Sequence, residues 1–217
     1  MELSIKMSRK QIFFSSDWHI GHANSIVFDK RPFNDLDHMH RTLVSNFNKK
    51  VPVGSLTYFL GDMATHSASL TKTVMDQLNG IKILVVGNHD KNYESCYNAG
   101  FDVVMNQATI YIQKQRVTLS HCPLLRVFRE DTSTMKGNTE GELWHGESRH
   151  ERFSVPDTGQ FHLHGHIHSP NGGKSERILE RQFDVGLPGN KYRPVHVSEI
   201  ESFIMRYLND NTSSSVV

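Results

Sequence analysis

The chain has 217 residues, 14 of them histidine and only two cysteine, and carries a net charge of +1 with histidine neutral. That length suits one domain with a sizeable core, no apolar run approaches the roughly 18 residues of a membrane span, and the charge balance argues against a strongly basic nucleic-acid surface. Met1 to Lys10 lacks an apolar stretch, which argues against a secretory signal (Met7 is an alternative start), and Cys96 and Cys122 have no paired spacing, which suits free thiols in a reducing cytoplasm.

Ile12 to Ser16 reads as a buried strand ending at Asp17. Asn34 or Asp35 can cap a helix whose apolar face is Leu36, Met39, Leu43, Val44 and Phe47. Thr57 to Leu60 is a second strand. Leu70, Val74 and Leu78 mark a second helix closed by Asn79-Gly80, and Ile81 to Val86 is a third strand. Lys91 to Ala99 reads as a short helix stopped by Gly100. Strand and helix alternating at this pitch predict parallel strands with helical crossovers.

The second half changes character. Phe101 to Met105, Thr109 to Ile112 and Val117 to Ser120 have no room for helices between them and predict a second sheet with antiparallel pairs. Residues 126–160 are polar and patternless, as a lid or insertion would be. Phe161 to His164 and Arg181 to Val185 resume strand character. Ser198 to Glu201 carries a capping-box pattern opening a last helix, and Asn209 to Val217 reads as a disordered polar tail.

Five short blocks stand at the ends of these apolar runs: Asp17-Trp18-His19, Gly61-Asp62, Gly87-Asn88-His89-Asp90, Ser120-His121 and Gly165-His166-Ile167-His168. Residues just past the C-terminal ends of buried strands line the site crevice of an α/β protein. Any one block is bland alone: Gly61-Asp62 is a common turn, and His121 could be a core histidine. Together they bring Asp, His and Asn to one place. Two cations about 3.5–4 Å apart neutralise a phosphate and generate hydroxide at neutral pH, and a carboxylate such as Asp62 is suited to bridge them. Mixed N and O donors favour Mn, Fe, Zn, Co or Ni over Ca or Mg.

In this order, D-x-H, G-D, G-N-H-D, S-H and G-H-x-H resemble the calcineurin-like metallophosphoesterase family, and all five blocks are intact between Asp17 and His168. The resemblance implies two facing mixed sheets flanked by helices, a four-layer α/β/β/α sandwich. It implies two divalent metals, Mn foremost. Asp17, His19 and His168 would hold the first, Asn88, His121 and His166 the second, and Asp62 would bridge them. His89 would contact the phosphate or protonate the leaving group, with Asp90 orienting it. Similar small bacterial and phage-type members also carry the segment of His22 and Asn24 followed by Arg31-Pro32-Phe33, so His22, Asn24 and Arg31 are expected at the substrate, against capping or surface ion-pair roles. His164 is expected beside the ligands or in the core, Trp18 and Cys122 in packing, and His38, His40, His66 and His196 at the surface or in packing.

The function this implies is hydrolysis of a small phosphate ester, a nucleotide foremost. A nuclease is the alternative; charges in 126–160 roughly cancel, which disfavours a polymer track. Trp144, Phe128 or Phe153 could stack a base. A non-catalytic interaction module is the reading from another class, but it would not need the full ligand set or His89.

Overall fold

The computed structural model describes residues 11–63, 67–124, 153–169 and 181–213. Most of the expected lid, 125–152, lies outside them, with His145 and His150, as do His66 and 214–217.

The first sheet is built from β1 (Ile12–Ser15), β2 (Leu56–Phe59), β3 (Ile81–Val85), β4 (Val103–Met105) and β9 (Val195–His196), in the order β4-β3-β2-β1-β9. Neighbours among β1 to β4 run parallel, and β9 is antiparallel to β1. The second sheet has the order β5-β6-β7-β8: β5 (Ala108–Ile112), β6 (Gln115–Leu119), β7 (Phe161–His164) and β8 (Gln182–Asp184). Its first pair is antiparallel and the others parallel. The protein is therefore mixed α/β, with two mixed sheets and helices.

β4 corrects one expectation. It belongs to the first sheet and not the second, because the short helix before it is itself the crossover that returns the chain parallel to β3. That helix is α4 (Tyr93–Asn98), preceded by α1 (Ala23–Phe28), α2 (Leu36–Lys50) and α3 (Ala68–Met75). Asp35, Ser67 and Asn92 cap α2, α3 and α4 by accepting the amides of His38, Leu70 and Ser95. α3 stops at Met75, so Leu78 packs from the turn beyond it.

Both faces of the first sheet are covered, which explains its near-continuous apolar strands. Phe13, Phe59, Leu84 and Val104 cluster with Met39, Leu43, Phe47, Val74 and Met75 from α2 and α3. Their neighbours Phe14, Leu60 and Val85 join Val117, Leu119, Phe161, Leu163 and Val185 of the second sheet in one core. Trp18 is fully buried between Phe47 and Phe59, and its Nε1 donates to Ser15 Oγ. The loop after β1 is thus anchored by an indole.

The last helix, α5 (Val197–Ser213), opens ahead of the expected box: Glu199 reaches back to the His196 amide. It also extends through 209–213, which are helical and not a disordered tail. Among the described residues no helix is long and apolar enough to cross a membrane.

Candidate metal centre

The ligand-type residues follow the C-terminal ends of five strands. Asp17 and His19 come after β1, Asp62 after β2, Asn88 after β3, His121 after β6, and His166 and His168 after β7. Asp17, His19, Asp62, His166 and His168 all have positive φ, between 47° and 71°. Side chains other than glycine rarely adopt this conformation, and where they do the strain concentrates at functional sites. The strained loops are sewn together: the amides of Asp17, His19 and Ile20 donate to the carbonyls of Gly61, Asp62 and Met63.

Two donor clusters result. In one, His19 Nε2 and His168 Nε2 stand 3.1 Å apart, with Asp17 Oδ1 3.4 Å from His168 Nε2. In the other, His121 Nε2 lies 2.9 Å from Asn88 Oδ1 and 3.3 Å from Asp62 Oδ1, and the His166 ring is 5.1 Å from that of His121. Asp62 lies between the two: its Oδ1 faces His121, its Oδ2 is 3.9 Å from His19 Nε2, and it groups with Asp17 and His121. Ligand atoms about 2.1 Å from a common ion stand roughly 3–3.4 Å from each other, so these spacings suit one cation per cluster. Neutral imidazole nitrogens facing each other at 3.1 Å also need a cation or a proton between them.

Protons take that part in the metal-free protein. Burial disfavours charge on His168, yet Asp17 and Asp29 raise it to about 10. Burial likewise opposes His121, but Asp62 and Asp17 raise it to about 9. Burial raises Asp62, and the His121 charge and hydrogen bond overcome this to leave it at about 2. Asp17 is also held far down by His168, against burial. Burial lowers His19 to about 3, so it is neutral. A metal must therefore displace protons from His121 and His168. Apparent affinity for manganese should rise as pH climbs from 6 to 8.5, roughly tenfold per unit for each proton displaced. Calorimetric titration across that range checks this; an affinity flat with pH would contradict it.

Surrounding groups fix the ligand rings. His121 Nδ1 donates to Leu60 O, which leaves Nε2 facing Asn88 and Asp62. The His166 amide donates to the Asp17 carboxylate. A methyl group on Gly165 would run into Ser16 Oγ and Asp17 Oδ2. Gly165→Ala should cost about 1–3 kcal/mol by overpacking and weaken the cluster around Asp17. A melting curve of the metal-free protein and a metal titration test both parts; an unaltered Gly165→Ala protein would show that the contact relaxes freely.

The other predicted residues fall into three groups. His89 stands at the rim: its side chain is 47% exposed, its amide donates to Asp62 Oδ1, and its Nε2 is 3.9 Å from Asp62 Oδ2. The His22 ring lies 5.6 Å from His19 and 6.4 Å from His89, while Asn24 is exposed on α1. Asp90 holds backbone: its oxygens accept the amides of Asp62, Met63 and Gly87, clamping the β2 loop to the β3 loop.

Arg31 is not at the surface, against the surface ion-pair alternative. Its side chain is buried, and every guanidinium nitrogen meets a protein acceptor: Asp29 Oδ2, the carbonyls of Asp17 and Trp18, and Met39 Sδ. Phe153 is not free to stack a base, being buried edge-on to His121. His164 is fully buried, stacked on His162, with Nδ1 bonded to Gly165 O. Cys122 is buried, and its Sγ lies within ligand reach of His121 and His166.

Sequence reasoning missed three supporting groups. Asp29 Oδ1 bonds His168 Nδ1 at 2.8 Å. Asp184, buried beside His164 on β8, accepts the amides of Ser169 and Gly186 and so ties down the turn after His168. His40 accepts the Gly21 amide and props the turn after His19. No local pattern marks any of them.

No family model matches the chain. It is 38% identical over 87 residues to an uncharacterized protein of Methanocaldococcus jannaschii, a match covering 39% of this chain and about half, 49%, of that relative. It is 27% identical over 197 residues to the gene 66 protein of a Mycobacterium phage, covering 81% of this chain and 87% of the phage protein. Among solved structures, a protein of unknown function from Aquifex aeolicus superposes with a TM-score of 0.63 at 25% identity, covering 88% of this chain and 97% of that one. YfcE, a phosphoesterase from E. coli, reaches a TM-score of 0.34 at 16% identity, too low to carry an argument.

Proposed function

We propose that this protein is a dinuclear metal-dependent phosphoesterase acting on a small phosphate ester, with nucleotides the first class to try. One observation carries the reading: strained loops from two sheets converge on adjacent groups of Asp and His donors, with Asp62 turning one oxygen toward His121 and the other toward His19. On this reading Asp17, His19 and His168 hold one ion, Asn88, His121 and His166 the other, and the architecture is the four-layer sandwich implied by the five blocks. Manganese is the first ion to test. Two such ions supply charge neutralisation of the phosphate and a hydroxide nucleophile at neutral pH.

The chain's own groups divide the remaining work. The backbone amide of His89 holds Asp62 Oδ1, so the bridging carboxylate keeps a fixed orientation. The exposed imidazole of His89 would face an arriving substrate. There it can donate a proton to the leaving oxygen or a hydrogen bond to the phosphoryl group. His22, beside His19 and His89, would contact the phosphate, while Asp90 keeps the two loops in register. The near-neutral charge of the chain favours a small substrate over a polymer.

The test is a hydrolysis screen with manganese over mononucleotides, cyclic nucleotides, dinucleoside polyphosphates, generic aryl esters and single-stranded nucleic acid. Activity on small esters that disappears with chelator supports the reading. Activity confined to nucleic acid would move it to a nuclease, and none on any ester would remove it.

A further inference from the structure

We infer that Asp29 is the positioning residue of the first metal site, acting with Arg31 as a clamp on two of its ligands, His168 and Asp17. The inference rests on the dinuclear reading above. Asp29 Oδ1 lies 2.8 Å from His168 Nδ1. Its Oδ2 receives Arg31 Nε at 2.9 Å and Arg31 Nη2 at 2.8 Å. The same guanidinium donates from Nη2 to the carbonyl of Asp17 and from Nη1 to that of Trp18, both at 3.1 Å. The chain of contacts therefore runs from the ring of one ligand, through one carboxylate and one guanidinium, to the backbone of another.

Two physical consequences follow. A ring that gives its Nδ1 proton to Asp29 keeps its Nε2 lone pair for metal, and His168 Nε2 is the atom that faces His19 and Asp17. Second, Asp17 has φ of 60° in a loop that needs restraint, and Arg31 holds that loop from behind by its carbonyls. Burial of Arg31 makes the clamp stiff, because the guanidinium fork has a fixed geometry and no solvent to turn toward.

Asparagine at position 29 isolates the function while keeping the shape. The clamp needs two acceptors, one for Arg31 and one for His168, and a carboxamide has only one. If its oxygen faces Arg31, its NH₂ faces His168 Nδ1. The ring must then accept at Nδ1 and carry its proton on Nε2, where metal should bind. If the amide flips, NH₂ meets the guanidinium instead.

The experiment is a calorimetric manganese titration of metal-free wild-type and Asp29→Asn protein, with metal counted by elemental analysis. The wild type should take up two ions per chain. In Asp29→Asn, one step should weaken by about 10–100-fold, the usual cost of losing such a partner, while the other stays within about twofold. Identical titrations of the two proteins would overturn the inference and leave the dinuclear reading standing. A wild type that takes up no metal would overturn both. A second measurement needs no variant: ¹⁵N-edited imidazole spectra of the zinc-loaded wild type should show His168 protonated at Nδ1 and metal-bound through Nε2. The opposite arrangement would overturn the inference even if Asp29→Asn failed to fold.

Discussion

Asp62→Asn should strip both ions from the protein and abolish hydrolysis. Asp62 points one oxygen at His121 and the other at His19, so it contributes to both clusters at once. Asparagine removes the negative charge that lets two cations sit side by side. Loss of a partner behind a ligand already costs about 10–100-fold in affinity, and loss of a shared ligand should cost more at each position. Activity should fall with metal occupancy, to the level seen after chelation. Elemental analysis with a rate measurement reads both. Asp62→Asn protein that keeps two ions and full rate would remove Asp62 from the centre.

His89→Ala should separate binding from chemistry. The imidazole is exposed and belongs to neither donor cluster, whereas the group holding Asp62 is the backbone amide, which alanine retains. Metal content should therefore be unchanged. Rates on esters with poor leaving groups should drop by on the order of 10²–10⁴, the usual worth of a general acid. An aryl ester, whose leaving oxygen needs little protonation, should lose far less. Equal losses on both would recast His89 as a phosphoryl hydrogen-bond donor. Loss of metal would make it a ligand.

The parts of this structure legible beforehand were those written in local pattern. Apolar runs such as Ile83 to Val85 mark strands because burial on both faces leaves no room for polar residues there. The polar residue ending each run then falls at a strand terminus, so the convergence of Asp17, Asp62, Asn88, His121 and His168 could be read from order alone. What escaped depends on contacts distant in sequence. Asp29 and Arg31 flank Lys30 in a short charged stretch, and only docking of that stretch against the β1 loop and His168 buries Arg31 and half-buries Asp29. α1 is six residues long with no side-chain cap, too short for periodicity to register. The polar end of α5 reads as a tail in sequence because composition cannot show that a helix already nucleated simply continues.

The central claim, two ions sharing Asp62, is tested most directly by anomalous diffraction from crystals grown with manganese. The account predicts two peaks about 3.5–4 Å apart, one among Asp17, His19 and His168, the other among Asn88, His121 and His166, with the Asp62 carboxylate between them. A single peak, or peaks that leave Asp62 uncoordinated, would contradict it.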